Sequence, residues 1–149
     1  MTRGKAQTAA LMASVDDVQA QFYDALQHAD IERLMAVWSD DDEVAIVHPG
    51  GPRVVGLGAI RASFEAIFAS GPIPVRPDSV RRVESAGCAV LHVLEKVDVL
   101  SDQGPQTAWV IATNVFIKTA QGWRLVLHHA SPGSPRQMPE ISEAPSVLH

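Results

Sequence analysis

The spacing of apolar residues changes near the middle of the chain, and this change limits the folds that the sequence can adopt. Before residue 70, apolar side chains recur every three or four positions, as on one face of an α-helix. From residue 75 onward they recur every second position, and short turn sequences separate four extended runs. A chain with helices first and a meander of strands afterwards is predicted to be α+β.

Three helices are predicted before the strands. They cover residues 11–29, 30–38 and 56–68. Ser14 and the acidic residues after it form a capping signal, so the first helix is alternatively expected to begin there. Asp30 is expected to cap the second helix. A short strand pair, residues 44–48 and 53–55, is predicted between the second and third helices because a Pro-Gly-Gly-Pro turn separates the two runs.

The four extended runs are predicted to form one curved antiparallel sheet. They cover residues 75–84, 88–100, 106–119 and 123–131. Each break between them is short enough for a hairpin. Runs of this length exceed the typical strand of about 5–6 residues, and long strands usually bend. The sheet is therefore expected to curl around the helices as a cone, within a domain of residues 11–131 between a flexible N-terminus (1–10) and a Pro-rich tail (132–149).

Composition excludes several classes of function. The chain has 149 residues and a net charge of −5, so it offers no basic surface for binding nucleic acid. Cys88 is the single cysteine, so no intramolecular disulfide can form. No apolar run approaches the ~20 residues of a membrane span, and the N-terminus does not read as a signal peptide. We therefore expect a cytoplasmic protein with no membrane partner.

His48 is the candidate for chemistry. It closes the strand of residues 44–48, directly before the Pro-Gly-Gly turn. An imidazole with an unperturbed pKa near ~6.5 can act as a general base or orient a ligand near neutral pH. The alternative interpretation is structural, with the ring closing the strand end through a bond to a backbone carbonyl.

Four segments carry a resemblance to a known family: Trp38-Ser39-Asp40-Asp41, His48-Pro49-Gly50, Gly56-Leu57-Gly58-Ala59-Ile60 and Gly122-Trp123-Arg124-Leu125-Val126-Leu127-His128-His129-Ala130-Ser131. With the order of elements, they resemble the nuclear transport factor 2-like superfamily, closest to its SnoaL-like and ketosteroid-isomerase-like bacterial branch. The resemblance covers residues 11–131. It implies a cystatin-like cone, an apolar cavity between helices and sheet, and homodimers formed through the convex sheet face.

The resemblance also implies positions for catalytic groups. The base of the ketosteroid isomerases falls on His48, their tyrosine on Phe22 and their protonated acid on Asn114. Phe22 cannot donate a hydrogen bond, and Tyr23 is expected to point about 100° away on the helix. The chain is therefore predicted not to be a ketosteroid isomerase.

Matched to the family, one face of the last strand points into the cavity and carries Leu127 and His129, while His128 points away. The predicted ligand contacts are then Phe22, Trp38, His48, Asn114, Leu127 and His129. Each has a structural alternative: Trp38 completes a core stripe, Asn114 joins a buried network, and His129 is a satisfied core histidine. A metal held by His48, His129 and Glu95 is geometrically conceivable, but no spacing motif supports it, so neither metal nor cofactor is expected.

The leading functional hypothesis is a homodimeric domain that binds a small organic molecule in a partly apolar pocket. The predicted dimer surface is the strand face of Trp109, Ile111, Thr113, Val115 and Ile117. One alternative is an acid/base enzyme, namely an isomerase, cyclase or dehydratase, that uses His48 on a carbonyl substrate. The other is an association module that mainly oligomerises.

Overall fold

The structure is a computed structural model that describes residues 14–143, and its elements follow the predicted order. The helices are α1 (Val15–His28), α2 (Ile31–Ala36) and α3 (Leu57–Phe68). The strands are β1 (Ala45–Val47), β2 (Arg53–Val55), β3 (Val75–Glu84), β4 (Cys88–Ser101), β5 (Gly104–Thr119) and β6 (Gly122–Pro132). The predicted α+β class is confirmed, whereas residues 1–13, with the predicted flexible N-terminus (1–10), and residues 144–149 lie outside the described part of the chain.

Two short polar residues set the start of α1 and α2. The Ser14 hydroxyl accepts a hydrogen bond from the Asp17 backbone N–H at 3.2 Å, which satisfies a free donor of the first turn. Ala29 ends α1 in the left-handed conformation (φ 52°), and the Asp30 carboxylate then caps α2 by accepting from the Arg33 N–H at 3.1 Å. These caps confirm that the first helix begins after Ser14, and they place α2 against α1 with almost no linker.

All six strands belong to one curved open sheet in the order β2-β1-β6-β5-β4-β3. Strands β3 to β6 form an antiparallel meander, and β1 pairs with β2 in a short antiparallel hairpin. The exception is β1 with β6, which run parallel, with Ala45 opposite Leu127. A parallel pair is possible here because β1 and β6 are not joined by a hairpin: β2, α3 and strands β3 to β5 lie between them in the chain.

The core lies between the helices and the inner face of the sheet. Its largest fully buried side chains are Phe22, Phe64, Phe116, Leu34, Ile46, Ile60, Leu91 and Leu125. They come from every helix and from β1, β4, β5 and β6, so the sheet curls around the helices as expected. No helix in residues 14–143 is both long enough and apolar enough to cross a membrane.

A β-bulge at Val126 reverses the two faces of β6. Val115 pairs with Leu127, but the next residue of β5, Phe116, pairs with Leu125, so Val126 is an extra residue on β6. Trp123 and Leu125 point inward before the bulge, and His128 and Ala130 point inward after it. The predicted orientation of Leu127 and His129 toward the interior is therefore wrong, because strict alternation does not continue through a bulge.

The described part of the tail lies on the outer face of the sheet. The Gly133 N–H donates to the Trp109 carbonyl at 2.9 Å. Further along, Arg81 of β3 donates to both carboxylate oxygens of Glu140, at 2.6 and 3.1 Å. Residues 133–143 therefore cross β5 and β4 to reach β3, and we refer to this segment as the strap.

Candidate functional site

Five polar side chains are buried between α1 and the inner face of the sheet. They are Gln19, Tyr23, Glu95, Asn114 and His128, none of which is more than 7% exposed. Burying polar groups costs free energy unless they are hydrogen-bonded to one another. Titratable and amide groups held together inside a core can also serve a ligand, so we refer to these five residues as the polar cluster and treat them as the candidate site.

Asn114 is the centre of the polar cluster. Its Nδ2 donates to Gln19 Oε1 at 3.0 Å and to the Tyr23 hydroxyl at 3.1 Å. Its Oδ1 accepts from His128 Nδ1 at 2.5 Å. Both amide hydrogens and the carbonyl are engaged, which satisfies a side chain that is 0% exposed. The predicted alternative of a buried network is thus what the structure shows at this position.

Tyr23 and Glu95 form the other end of the polar cluster. The Tyr23 hydroxyl donates to Glu95 Oε2 at 2.6 Å. Burial raises the pKa of Glu95 to about 7, although the hydrogen bond from Tyr23 by itself lowers this pKa. Burial and the Glu95 charge together raise the pKa of Tyr23 well above its ordinary value. At neutral pH the phenol is therefore protonated and the carboxyl is close to half protonated.

His128 is a neutral imidazole inside the cluster. Burial, followed by the nearby His48 and His129, lowers the pKa of His128 to about 3. Since Asn114 Oδ1 can only accept, His128 carries its proton on Nδ1, and Nε2 holds a lone pair. The ring packs on Phe22 with a centroid distance of 4.9 Å. His128 thus presents an acceptor atom among aromatic neighbours.

His48 lies directly after β1, where Gly50 (φ 75°) turns the chain back toward β2. Its Nε2 lies 3.1 Å from Ser63 Oγ, and the Ser63 hydroxyl donates to the Ile60 carbonyl at 2.8 Å. With that hydroxyl proton already used, Nε2 is the donor and Nδ1 carries the lone pair. Burial lowers the pKa of this half-buried histidine, so the ring is neutral at pH 7.

The predicted contact residues divide between the two faces of the sheet. Phe22 and Asn114 lie in the interior, with His48 at its edge against the ring of Phe64, 5.0 Å between centroids. Trp38 is buried in the core, and its Nε1 makes no hydrogen bond within the described residues. Leu127 and His129 line a cavity of about 800 Å³ on the outer face, on the opposite side of the sheet from the polar cluster.

Sequence reasoning missed Tyr23 and His128. Tyr23 was expected to point away from the site, yet both Phe22 and Tyr23 are buried because the sheet and α3 cover more than one face of α1. A signal was present in the sequence: Gln19 and Tyr23 are four positions apart, which places two polar groups on one helical stripe. The position of His128 follows from the bulge, which no local pattern announces.

The alternative of a metal held by His48, His129 and Glu95 is wrong, because His129 lies on the opposite face of the sheet from the other two. Within residues 14–143, no group of three His, Cys, Asp or Glu side chains is close enough to hold a metal ion.

Comparison with known sequences decides the family. The sequence profile of the SnoaL-like domain matches residues 15–135. The chain belongs to the SnoaL-like domain family. The predicted superfamily is confirmed, and the helices, the sheet and the polar cluster all lie within the matched segment. None of the curated proteins matches the chain.

Solved structures of the same fold carry several different descriptions. A candidate calcium/calmodulin-dependent protein kinase type II association domain from Thiobacillus denitrificans is 31% identical over 83% of this chain and 98% of that one, with a TM-score of 0.75. A candidate dehydratase of the NTF2-like family from Streptomyces avermitilis is 28% identical over 85% and 97%, with a TM-score of 0.70.

A ketosteroid isomerase-like protein from Erwinia carotovora atroseptica is 20% identical over 83% of this chain and 97% of that one, with a TM-score of 0.63. At this identity the likeness concerns the fold alone. The similar structures thus include association domains and candidate enzymes, so function has to be argued from the residues of the site.

Proposed function

We propose that this SnoaL-like domain binds a small, neutral organic molecule next to the polar cluster and works as a homodimer. One observation carries the proposal. Within the described residues, His48 Nδ1 and His128 Nε2 make no hydrogen bond, and each is a lone pair on a neutral ring. Two acceptors, one directly after β1 and one on β6, set among aromatic side chains, suit a ligand that donates from a hydroxyl or amine.

The aromatic rings between the two histidines support the apolar part of the ligand site. Phe64 packs edge-on against His48 with centroids 5.0 Å apart, and Phe22 lies 6.5 Å from Phe64. Phe22 also contacts His128. The four rings therefore form a continuous series from His48 to His128, which suits a ligand with a ring or an aliphatic body and a polar end.

Charge supports a neutral rather than an acidic ligand. No lysine or arginine in residues 14–143 hydrogen-bonds to the polar cluster, and both histidines are neutral. Glu95, with a pKa of about 7, carries a partial negative charge at neutral pH. A ligand carboxylate would meet this charge without a cation to balance it.

The test is native mass spectrometry of the purified protein, which reports both the oligomer and any retained small molecule. We expect a dimer and, after a screen of neutral hydroxylated compounds, binding that His48→Ala weakens. His92→Ala is the matched control, because His92 is an exposed histidine on the outer face. A ligand that binds both variants with the same affinity as the wild type would show that the site lies elsewhere.

A second candidate function is acid/base catalysis with His48 as the base. The observation that favours it is the tautomer: Ser63 holds Nε2–H, so Nδ1 is free to accept a proton from a carbon or hydroxyl. The similar candidate dehydratase points in the same direction. The test is the pH dependence of the rate on any substrate that the protein converts. A titrating limb that is present in the wild type and absent in His48→Ala would favour catalysis over simple binding.

A third candidate is an association module, favoured by the 31% identity to the Thiobacillus denitrificans domain. This role leaves the polar cluster without a task. Light scattering separates the candidates, since an association module is expected to form assemblies larger than a dimer.

A further inference from the structure

The inner part of the proposed ligand site is almost closed. His128 is 6% exposed, and Phe22, whose ring packs on it, is 1% exposed. An organic molecule that binds a ring needs an open face of that ring, so it can meet His128 only after a neighbouring side chain has moved. The neighbouring elements differ in how firmly they are held, and the helix α3 is the one held least.

Helix α3 is weakly anchored along its length. Two of its 12 residues, Ile60 and Phe64, are buried, whereas eight of the 14 residues of α1 are buried. Gly56 at its N-cap has no side chain to bond the free N–H groups, in contrast with Ser14 of α1. Its first turn has no acidic residue and its last turn no basic residue to complement the helix dipole. Elements with few buried contacts are those that open locally while the rest of a protein stays folded.

The two ends of α3 combine a fixed point with a glycine. At the start, Gly56 has φ 95°, and its N–H donates to the Val44 carbonyl at 2.8 Å. After the end, Gly71 has φ 108°, and the Ile73 N–H donates to the Leu26 carbonyl at 3.0 Å. Glycine crosses between backbone conformations more easily than other residues. The helix can therefore swing between two points that stay attached to the rest of the protein.

Phe64 separates the entrance of the site from its interior. Its ring centroid lies 5.0 Å from that of His48, at the edge of the interior, and 6.5 Å from that of Phe22. A molecule that enters beside the half-buried His48 therefore meets Phe64 before it reaches Phe22 and His128. Ser63, the preceding residue of α3, lies 3.1 Å from His48 through Oγ and Nε2 and ties the helix to the end of β1.

We propose that α3 is a lid over the ligand site and that Phe64 is its gate residue. The lid swings about the glycines at its two ends, and the hydrogen bond between His48 and Ser63 is its latch. When Phe64 leaves, a ring of the ligand takes its place against Phe22, and a ligand hydroxyl reaches His128. This inference rests on the proposed function and adds the route of entry and the ligand class, a flat ring compound with a hydroxyl group.

Hydrogen exchange of the ligand-free protein, read by mass spectrometry of peptic fragments, tests the lid without a ligand. The amides of α3 are expected to exchange about tenfold or more faster than those in the middle of α1, because they exchange by local opening. If α3 exchanges only together with α1, the helix does not open on its own and the lid is wrong.

Ser63→Ala tests the latch in the same experiment. Loss of one hydrogen bond is expected to speed the exchange of α3 about 2- to 10-fold and to leave that of α1 unchanged. Ser70→Ala, the same change at an exposed position just after α3, is the matched control and should leave both helices unchanged. Equal exchange of α3 in Ser63→Ala and in the wild type would show that the bond is no latch.

The gate is tested by the association rate of 2-naphthol, a neutral two-ring compound with one hydroxyl, followed by stopped-flow fluorescence. Phe64→Leu is expected to raise the association rate constant about tenfold, because a smaller side chain has to leave. Phe68→Leu is the matched control: it is the same change one turn further on the same helix, at a half-buried ring 5.8 Å from that of Phe64. Circular dichroism checks that both variants fold.

The outcomes separate the lid from the proposed function. Equal association rates in the wild type and both variants, or an equal rise in both variants, would show that Phe64 is not the gate. If α3 opens locally but 2-naphthol binds to none of the three proteins, the lid stands and the proposed ligand class is overturned. If 2-naphthol binds while α3 exchanges only with the whole protein, the ligand site stands and the lid is overturned.

Discussion

The hydroxyl of Tyr23 lies 2.6 Å from a carboxylate oxygen of Glu95, and the two residues are 72 positions apart in the chain. This bond joins α1 to β4 across the core. It also makes the protonation of one buried carboxyl a property of the folded state, because the unfolded chain offers Glu95 neither the burial nor the phenol.

We predict that Glu95→Gln is stabilising relative to the wild type, and increasingly so as the pH rises. The folded state holds the Glu95 proton more tightly, since its pKa there is about 7 against 4.5 for the exposed group. The stability that this proton contributes is complete below pH 4.5 and is lost as the pH rises through 7. The free energy of unfolding falls by about 3 kcal/mol over this range. Glu95→Gln avoids this loss because the glutamine side chain does not ionise.

Melting temperatures of both proteins at pH 5 and pH 8 check this prediction. The difference between variant and wild type is expected to grow by several degrees between the two pH values. Glu84→Gln, at an exposed position of β3, is the control and should show no such growth. A constant offset for Glu95→Gln would mean that Glu95 titrates alike in the folded and unfolded states.

The shape of the Glu95→Gln profile is a second prediction. His128 has its pKa lowered from 6.5 to about 3, so its contribution to stability rises with pH over that window. In the wild type, the falling contribution of Glu95 opposes it between pH 4.5 and 6.5. Urea unfolding of Glu95→Gln across these values should therefore show a steeper rise of stability with pH than the wild type. Parallel curves would contradict the raised pKa of Glu95, and a variant curve that stays flat between pH 4.5 and 6.5 would contradict the assignment of His128 as a buried neutral ring.

Removing the phenol alone should be costly. Tyr23→Phe leaves Glu95 and Asn114 each without one hydrogen bond in the core, which is expected to lower the free energy of unfolding by about 1–3 kcal/mol. Ser85→Ala removes an exposed hydroxyl bonded to the Cys88 carbonyl and serves as the control, with little expected effect. Equal, small losses in both variants would show that the Tyr23 bonds do not stabilise the fold.

Truncation after Ser134 should change stability only slightly. The bond between Gly133 and Trp109 stays, and the truncation removes the ion pair of Arg81 with Glu140, whose side chains are 59% and 35% exposed. Exposed ion pairs contribute about 0–1 kcal/mol. A thermal melt of the truncated chain beside Arg81→Gln checks this, and a drop of many degrees in the truncation alone would show that the strap packs more firmly than its contacts indicate.

The domain is predicted not to isomerise steroids. Although Tyr23 supplies a buried phenol on the first helix, its proton is donated to Glu95, and Asn114 is a weaker donor than a protonated acid. Losing one strong donor to an enolate typically costs about 10²–10³ in rate. Ultraviolet detection of double-bond migration in a 3-oxo-Δ5 steroid should show no turnover. Substantial turnover that His48→Ala abolishes would reverse this conclusion.

Local patterns were sufficient for the elements but not for the site. The caps at Ser14 and Asp30, the strand face shared by Asn114 and Phe116, and the turns between strands follow from residue types at short range. The site depends on contacts far apart in sequence. The Tyr23–Glu95 bond spans 72 positions, and the contact between Arg81 and Glu140 spans 59. Contacts between residues so far apart in sequence produce no periodic pattern of residue types that could predict them.

The extra residue at Val126 has a consequence for how related chains should be compared. Adjacent residues of a strand face opposite sides of the sheet, and the register shift at Val126 decides that His128 faces the interior and His129 the outer face. A chain that lacks this residue could pair with β5 without a bulge and would still present the residue equivalent to His128 to the interior. An alignment that ignores the shift would match an inward side chain with an outward one. A bulge on β6 thus absorbs a one-residue change in chain length, so that the lining of the interior is kept while the sequence positions that supply it shift by one.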